Sequence, residues 1–199
     1  MDQTILLTFR LHGSIPASTG RELKAGLRAA QEAVQAQADA GASPAETAAA
    51  RQRAQKAFFA KYDAVLDRAP SGPRYFELEQ MAEVLAGEIM MLEETGFTVH
   101  GFAILPNHAH AVLHLPARSS LSLAKSLDLL HLRSATACRR LVRPRLPPEA
   151  EFWQAGWHEY AVQDEVELAR LLAYLKQQAQ KAGLPARFSE WPYIDEVIG

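Results

Sequence analysis

The sequence predicts an α+β fold: an antiparallel sheet covered by helices on one face, with a helical hairpin inserted near the start. Three observations carry this. Period-2 stretches alternate with helical-period stretches in the order β-α-β-β-α-β-α. A Pro106-Asn107 turn splits one β-rich run into two antiparallel strands. An alanine-rich stretch of low complexity falls between the first strand and the rest. That plan places helices on one side of a sheet.

Gln3 to His12 alternates, with Ile5, Leu7 and Phe9 on one face, and stops at Gly13. Leu23, Leu27, Ala30 and Val34 then follow helical spacing until the GASP break. Ser43 suits an N-cap, Pro44 the first helical position and Glu46 the reciprocal partner of a capping box. Phe58, Tyr62 and Val65 extend that second helix to APSGP, so the arm spans 14–69. Leu78, Met81, Leu85, Ile89 and Leu92 form the stripe of a third helix. From Phe97 to Leu115 the chain is rich in β formers, apart from the turn. A basic helix follows from about Ser122 to Val142, then an extended segment from Phe152 to Val162. The last helix runs from Asp164 to Ala182, with Gly183 as its C-terminal cap. The tail around Trp191-Pro192-Tyr193 has no clear period.

The 199 residues suffice for one domain with an elaboration, and 48% hydrophobic content suffices for a core. No apolar run reaches the roughly 20 residues of a membrane span. The first residues read as a strand rather than a signal peptide, so a cytoplasmic protein with no membrane partner is expected. Cys138 is the lone cysteine, which excludes an internal disulfide and a multi-cysteine zinc cluster. Neither a phosphate-binding glycine loop nor a Ser-His-Asp pattern is present.

Charge is uneven. The net value is −2, yet seven basic residues and one acid lie between Arg118 and Arg145, a local +6. Glu77 to Glu94 holds six Glu and no Lys or Arg. A basic helix of this kind fits a phosphate-binding face and fits a solvated helix equally well.

In PNHAHAVLHLP, His108 and His110 stand at i and i+2 on a strand and so share a face, while Ala109 and Ala111 face the other way. Two imidazoles suit a divalent ion with open positions, the arrangement of a catalytic rather than a closed site. Spacing alone fits ordinary strand histidines too, since His100 and His114 lie close by in sequence without an evident role. On the last helix Leu168, Leu171, Leu172 and Leu175 make the buried stripe, with Tyr174 and Gln178 one turn apart at its edge.

PNHAHAVLHLP resembles the PNHVH-type motif of single-tyrosine HUH transposases and of their domesticated relatives, the REP-associated tyrosine transposases. TFRLHGSIP, SGPRYFELEQMAEVLAGEI and FWQAGWHEYAVQDEVELARLLAYLKQQAQKAGL resemble further segments of that family, in order. The likeness runs from about residue 4 to the end, apart from the longer alanine-rich arm. It implies a ferredoxin-like HUH nuclease fold, with 1–199 as a single domain and 14–69 inserted in it. The family's nucleophile lies in a pattern like tyrosine–aliphatic–x–x–Asn–Pro–x–Lys–Ala–Gly–Leu, which is similar to the run from Tyr174 to Leu184. By that resemblance Tyr174 is the nucleophile, and His108, His110 and Gln178 hold Mg²⁺ or Mn²⁺. The resemblance and the charge together assign Lys125, Arg133, Arg139, Arg140 and Lys181 to DNA. The implied activity is cleavage and rejoining of single-stranded, hairpin-associated DNA through a 5′-phosphotyrosine. Binding of hairpin DNA with little or no cleavage is the alternative, a helical interaction protein a third, and monomer or homodimer is left open.

Four departures stand out. Gln178 replaces the usual Asn with the same kind of carbonyl oxygen, and Ala179 replaces Pro. His131-Leu132-Arg133-Ser134 stands where a His-Ser-x-Lys-Ser-like run is usual, and Gln163 where arginine is common. The last two would weaken the hold on phosphate. Trp153 and Trp157 are candidates for base stacking, with core packing favoured for Trp153, and His158 and Glu159 for proton transfer or support of the metal.

Overall fold

The computed structural model describes residues 2–68, 72–142, 146–147, 149–181 and 194–196, with the side chains of 179–181 and 194–196 left out. Its contacts divide the chain into two compact units, one of residues 1–14 with 72–199 and one of 15–71.

The first unit is built on β1 (Gln3–Arg10), β2 (Thr98–Leu105), β3 (His108–Leu115), β4 (His158–Ala161) and β5 (Ile194–Glu196). They form one sheet in the order β4-β1-β3-β2-β5, antiparallel throughout. With α3 (Glu79–Met90) before β2 and α4 (Leu123–Leu141) after β3, this is the expected ferredoxin-like α+β plan. β5 is an addition, pairing with β2 through residues in the tail that showed no period.

Alternation decides what each sheet face does. Ile5, Leu7, Phe9 and Leu11 of the first strand and its extension join Ala109, Ala111 and Leu113 in the hydrophobic core. Met81, Leu85 and Ile89 of α3 and Leu127, Leu130 and Cys138 of α4 complete that layer. Burying a side chain such as Phe9 or Leu85 in full contributes about 1.5–3 kcal/mol. A register shift between Val99 and Gly101, at His100, lets Val99 on one side and Phe102 and Ile104 on the other reach the same core. Leu78, expected in the α3 stripe, is 53% exposed because the chain there is extended and the helix begins one residue later.

α5 (Glu165–Lys181) lies against β2 and β3. Tyr174 on it meets His110, which points away from the Ala109/Ala111 side, so α5 covers the face opposite α3 and α4. The sequence placed the covering helices on one face; α3 and α4 do share a face, but α5 lies against the other. Leu175 is buried on α5, while Leu168, Leu171 and Leu172 are half-buried. Asp164 caps the helix through the Glu167 N–H at 2.7 Å, and the Glu167 carboxylate accepts from the Gln163 N–H at 2.9 Å. The proposed cap at Gly183 lies outside the described residues.

The second unit is a hairpin of α1 (Ala17–Asp39) and α2 (Pro44–Arg68) packed together, with Gly41 at φ 96° in the turn. Ser43 and Glu46 form the capping box: Glu46 N–H to Ser43 Oγ is 3.2 Å and Ser43 N–H to Glu46 Oε2 is 2.8 Å. Leu23, Leu27 and Ala30 are only half-buried, lining a groove of about 400 Å³ with Phe58 and Val65. Two helices alone cannot close around an apolar stripe on all sides.

Within the first unit, Gly13 and Gly72 meet. A Cβ on Gly72 would stand 2.7 Å from the Gly13 carbonyl oxygen, and its φ of +114° also requires glycine.

Candidate functional site

Helices cover both sheet faces, and on the α5 side the polar Thr8, His108 and His110 are buried beside the apolar Leu6, Val112, Ala103 and Leu105. His108 and His110 open β3 directly after the Pro106-Asn107 turn. Their rings are 4.8 Å apart between centroids and nearly perpendicular at 81°. Ring nitrogens of the pair lie within 4.8 Å of each other, and both side chains are buried. This is the shared-face geometry that the spacing predicts.

Each ring is held at Nδ1. His108 Nδ1 lies 2.7 Å from Asn107 Oδ1, and His110 Nδ1 lies 2.8 Å from Thr8 Oγ1. Thr8 sits directly across from His110 in the β1–β3 register. The Nε2 atoms of both rings are enclosed. Two imidazoles anchored at one nitrogen, with the other turned inward, match the donor chemistry of a borderline divalent ion.

α5 brings the other two predicted residues. The Tyr174 ring stands edge-on to His110, centroids 5.8 Å apart at 65°, with its hydroxyl enclosed. Gln178, one turn later, is fully buried. Tyr174 therefore meets His110 of the pair, and Gln178 follows on the same helix at a spacing that shares a side.

His158 on β4 is paired across from Thr8, so a row of His158, Thr8 and His110 crosses three strands on one face. Burial pulls the His158 imidazole down to a pKa of about 4, which keeps it neutral at ordinary pH. Glu159 points to the other face and is exposed, accepting from the Trp157 indole at 3.3 Å. Trp153 is a core residue: its indole donates to Ser134 Oγ at 3.0 Å and its ring stacks on His131 at 4.9 Å.

The predicted DNA-contacting cations are elsewhere. Lys125, Arg133, Arg139 and Arg140 are on α4, across the sheet from Tyr174 and the histidines. Lys125, Arg133 and Arg140 are exposed. Arg133 lies 4.0 Å from Glu88, whose carboxyl is raised by burial against the lowering effect of that guanidinium. Arg139 has a different occupation, donating to the backbone carbonyls of Pro147, at 3.2 Å, and Ala150. The Lys181 side chain lies outside the described ones.

Thr8 and Asn107 are the site residues that the sequence reading missed. A signal for Thr8 was present: Ile5, Leu7 and Phe9 claim one face of β1, which leaves Thr8 facing the histidines. Asn107 was read only as a turn former.

No family model matches the chain, and no curated protein matches it. Among solved structures it is similar to a REP-associated tyrosine transposase bound to a REP hairpin, with a TM-score of 0.50 at 14% identity. The match covers 98% of this chain and 77% of that one. The fold is that of this transposase.

Proposed function

We propose that this chain, which has the fold of a REP-associated tyrosine transposase, is a metal-dependent single-tyrosine nuclease that cleaves and rejoins single-stranded, hairpin-associated DNA. The observation that carries the reading is the edge-on contact of Tyr174 with His110, within a buried histidine pair whose rings are each held at Nδ1. In this reading residues 1–14 and 72–199 carry the chemistry, and 15–71 are an insertion.

His108, His110 and Gln178 would hold Mg²⁺ or Mn²⁺, which when bound polarises a phosphate oxygen. Tyr174 supplies the attacking Oη. A phenol with a pKa near 10 needs such help to act as a nucleophile near neutrality. Attack forms a bond from Oη to phosphorus and breaks the bond to the 3′ oxygen. The phenol proton is lost and the 3′ oxygen takes one up, so charge balances. The products are a 5′-phosphotyrosine and a 3′-hydroxyl, and because the phosphodiester energy is conserved, rejoining needs no nucleotide cofactor. Burial around Tyr174 and the histidines keeps competing water away from this link.

A second reading, hairpin binding with little or no cleavage, draws support from the position of the basic helix across the sheet from Tyr174. The test is incubation with a single-stranded hairpin DNA and Mn²⁺. A denaturant-resistant protein–DNA adduct supports the nuclease; tight binding without an adduct on any substrate supports the second reading.

A further inference from the structure

We infer that Thr8 and Asn107 are positioning residues that set the tautomers of His110 and His108, placing a proton on each Nδ1 so that both Nε2 lone pairs face one divalent ion. The inference rests on the metal site proposed above and assigns how the protein prepares it.

The geometry is local and specific. An amide oxygen only accepts, so Asn107 Oδ1 at 2.7 Å fixes His108 as the Nδ1–H form. Thr8 Oγ1, at 2.8 Å from His110 Nδ1, is a hydroxyl able to donate or accept, and as the acceptor it plays the same part for His110. All four side chains are buried, where water cannot substitute for either partner. Both positions are rigid. Thr8 is in the middle of β1, bonded to β3 and β4 on its two sides. The turn holding Asn107 is pinned by two backbone bonds: Leu11 N–H to the Asn107 carbonyl at 2.9 Å, and Phe76 N–H to the Pro106 carbonyl at 3.1 Å.

A metal-bound imidazole gains basicity and a fixed ring plane from an acceptor at its other nitrogen, and losing one typically costs 10–100-fold in affinity. The chemistry separates the two residues. Asn107→Asp keeps an acceptor and adds charge, whereas Asn107→Leu removes it. Thr8→Ser keeps the hydroxyl, whereas Thr8→Val keeps only the shape.

The experiment titrates the full chain with Mn²⁺ alone, read by calorimetry, with thermal melts to check folding. Thr8→Val and Asn107→Leu should each bind roughly 10–100-fold more weakly than the parent. Thr8→Ser and Asn107→Asp should retain parental affinity or exceed it. His110→Ala should abolish binding and serves as the control for the site itself. Parental affinity in both Thr8→Val and Asn107→Leu would overturn the inference while leaving the metal site standing. No binding by the parent would remove the site and the inference together. Histidine ring ¹⁵N signals of the metal-free protein provide a second measurement, independent of any variant's folding. They should report Nδ1–H for both rings, and an Nε2–H form of either overturns the assignment.

Discussion

The Tyr174 ring meets His110 by its edge, 5.8 Å from centroid to centroid and tilted by 65°. The contact joins α5 to a central strand and sets the phenol beside a histidine pair that faces away from the main core. Tyr174→Phe keeps the ring and the contact but deletes the oxygen. It should abolish any covalent DNA adduct on denaturing gels while hairpin affinity and the thermal midpoint stay near parental values. An adduct that survives would move the nucleophile elsewhere.

The cations of α4 differ in what they touch. Replacing Lys125, Arg133 and Arg140 together with Ala should weaken hairpin binding and flatten its dependence on salt, because each neutralised phosphate releases counterions. Binding measured over a salt series checks this, and an unchanged slope would remove α4 from the interface.

Arg139 is expected to behave differently from its neighbours. Its guanidinium ties α4 to the carbonyls of Pro147 and Ala150. Arg139→Ala should lower stability, on the order of 1 kcal/mol for a half-buried charged donor. The salt slope should be almost unaffected. Denaturant melts alongside the binding series distinguish the two outcomes.

Ser134 provides a test of the core that touches no proposed site residue. Its Oγ accepts from the Trp153 indole and donates to the Leu130 carbonyl at 2.6 Å. Ser134→Ala strands a buried indole N–H, which costs about 1–3 kcal/mol. A melt should show that loss with DNA binding preserved once the protein is folded.

Acid should also act through His131. Burial between Phe9 and Trp153 lowers its pKa from 6.5 to about 4, with Asp128 opposing weakly. The unfolded chain therefore takes up a proton that the folded one refuses. The stability contributed by the neutral ring is full above about pH 6.5 and is lost as pH falls towards 4. His131→Phe should flatten the fall in melting temperature across that window; an equal fall in the variant would assign it to other groups.

Much of this was legible in the sequence because alternation and capping are local. The strand pair around Pro106-Asn107, the Ser43–Glu46 box and the common face of His108 and His110 each follow from residues only a few positions apart. The side of the sheet that α5 covers was not legible: the stripe of Leu168, Leu171, Leu172 and Leu175 says which side of the helix is inward, not which face receives it. For the same reason the sequence assigned the charge on α4 to DNA without showing that this helix packs on the face opposite Tyr174. Arg139 looked like its neighbours because its carbonyl partners lie in an irregular segment beyond the helix. β5 escaped notice because three residues are too few to establish a period.

The close approach of Gly72 to Gly13 has a bearing on how such a chain can change over generations. To the sheet, everything between those glycines is a closed excursion that leaves and returns at one point. Loop-closure entropy grows only with the logarithm of length, about 0.6 kcal/mol for each doubling. Segments could therefore be gained or lost here in large steps while β1 and α3 keep their places, provided both glycines persist. At the junction itself the geometry is exacting, because a side chain on Gly72 would collide with the Gly13 carbonyl oxygen.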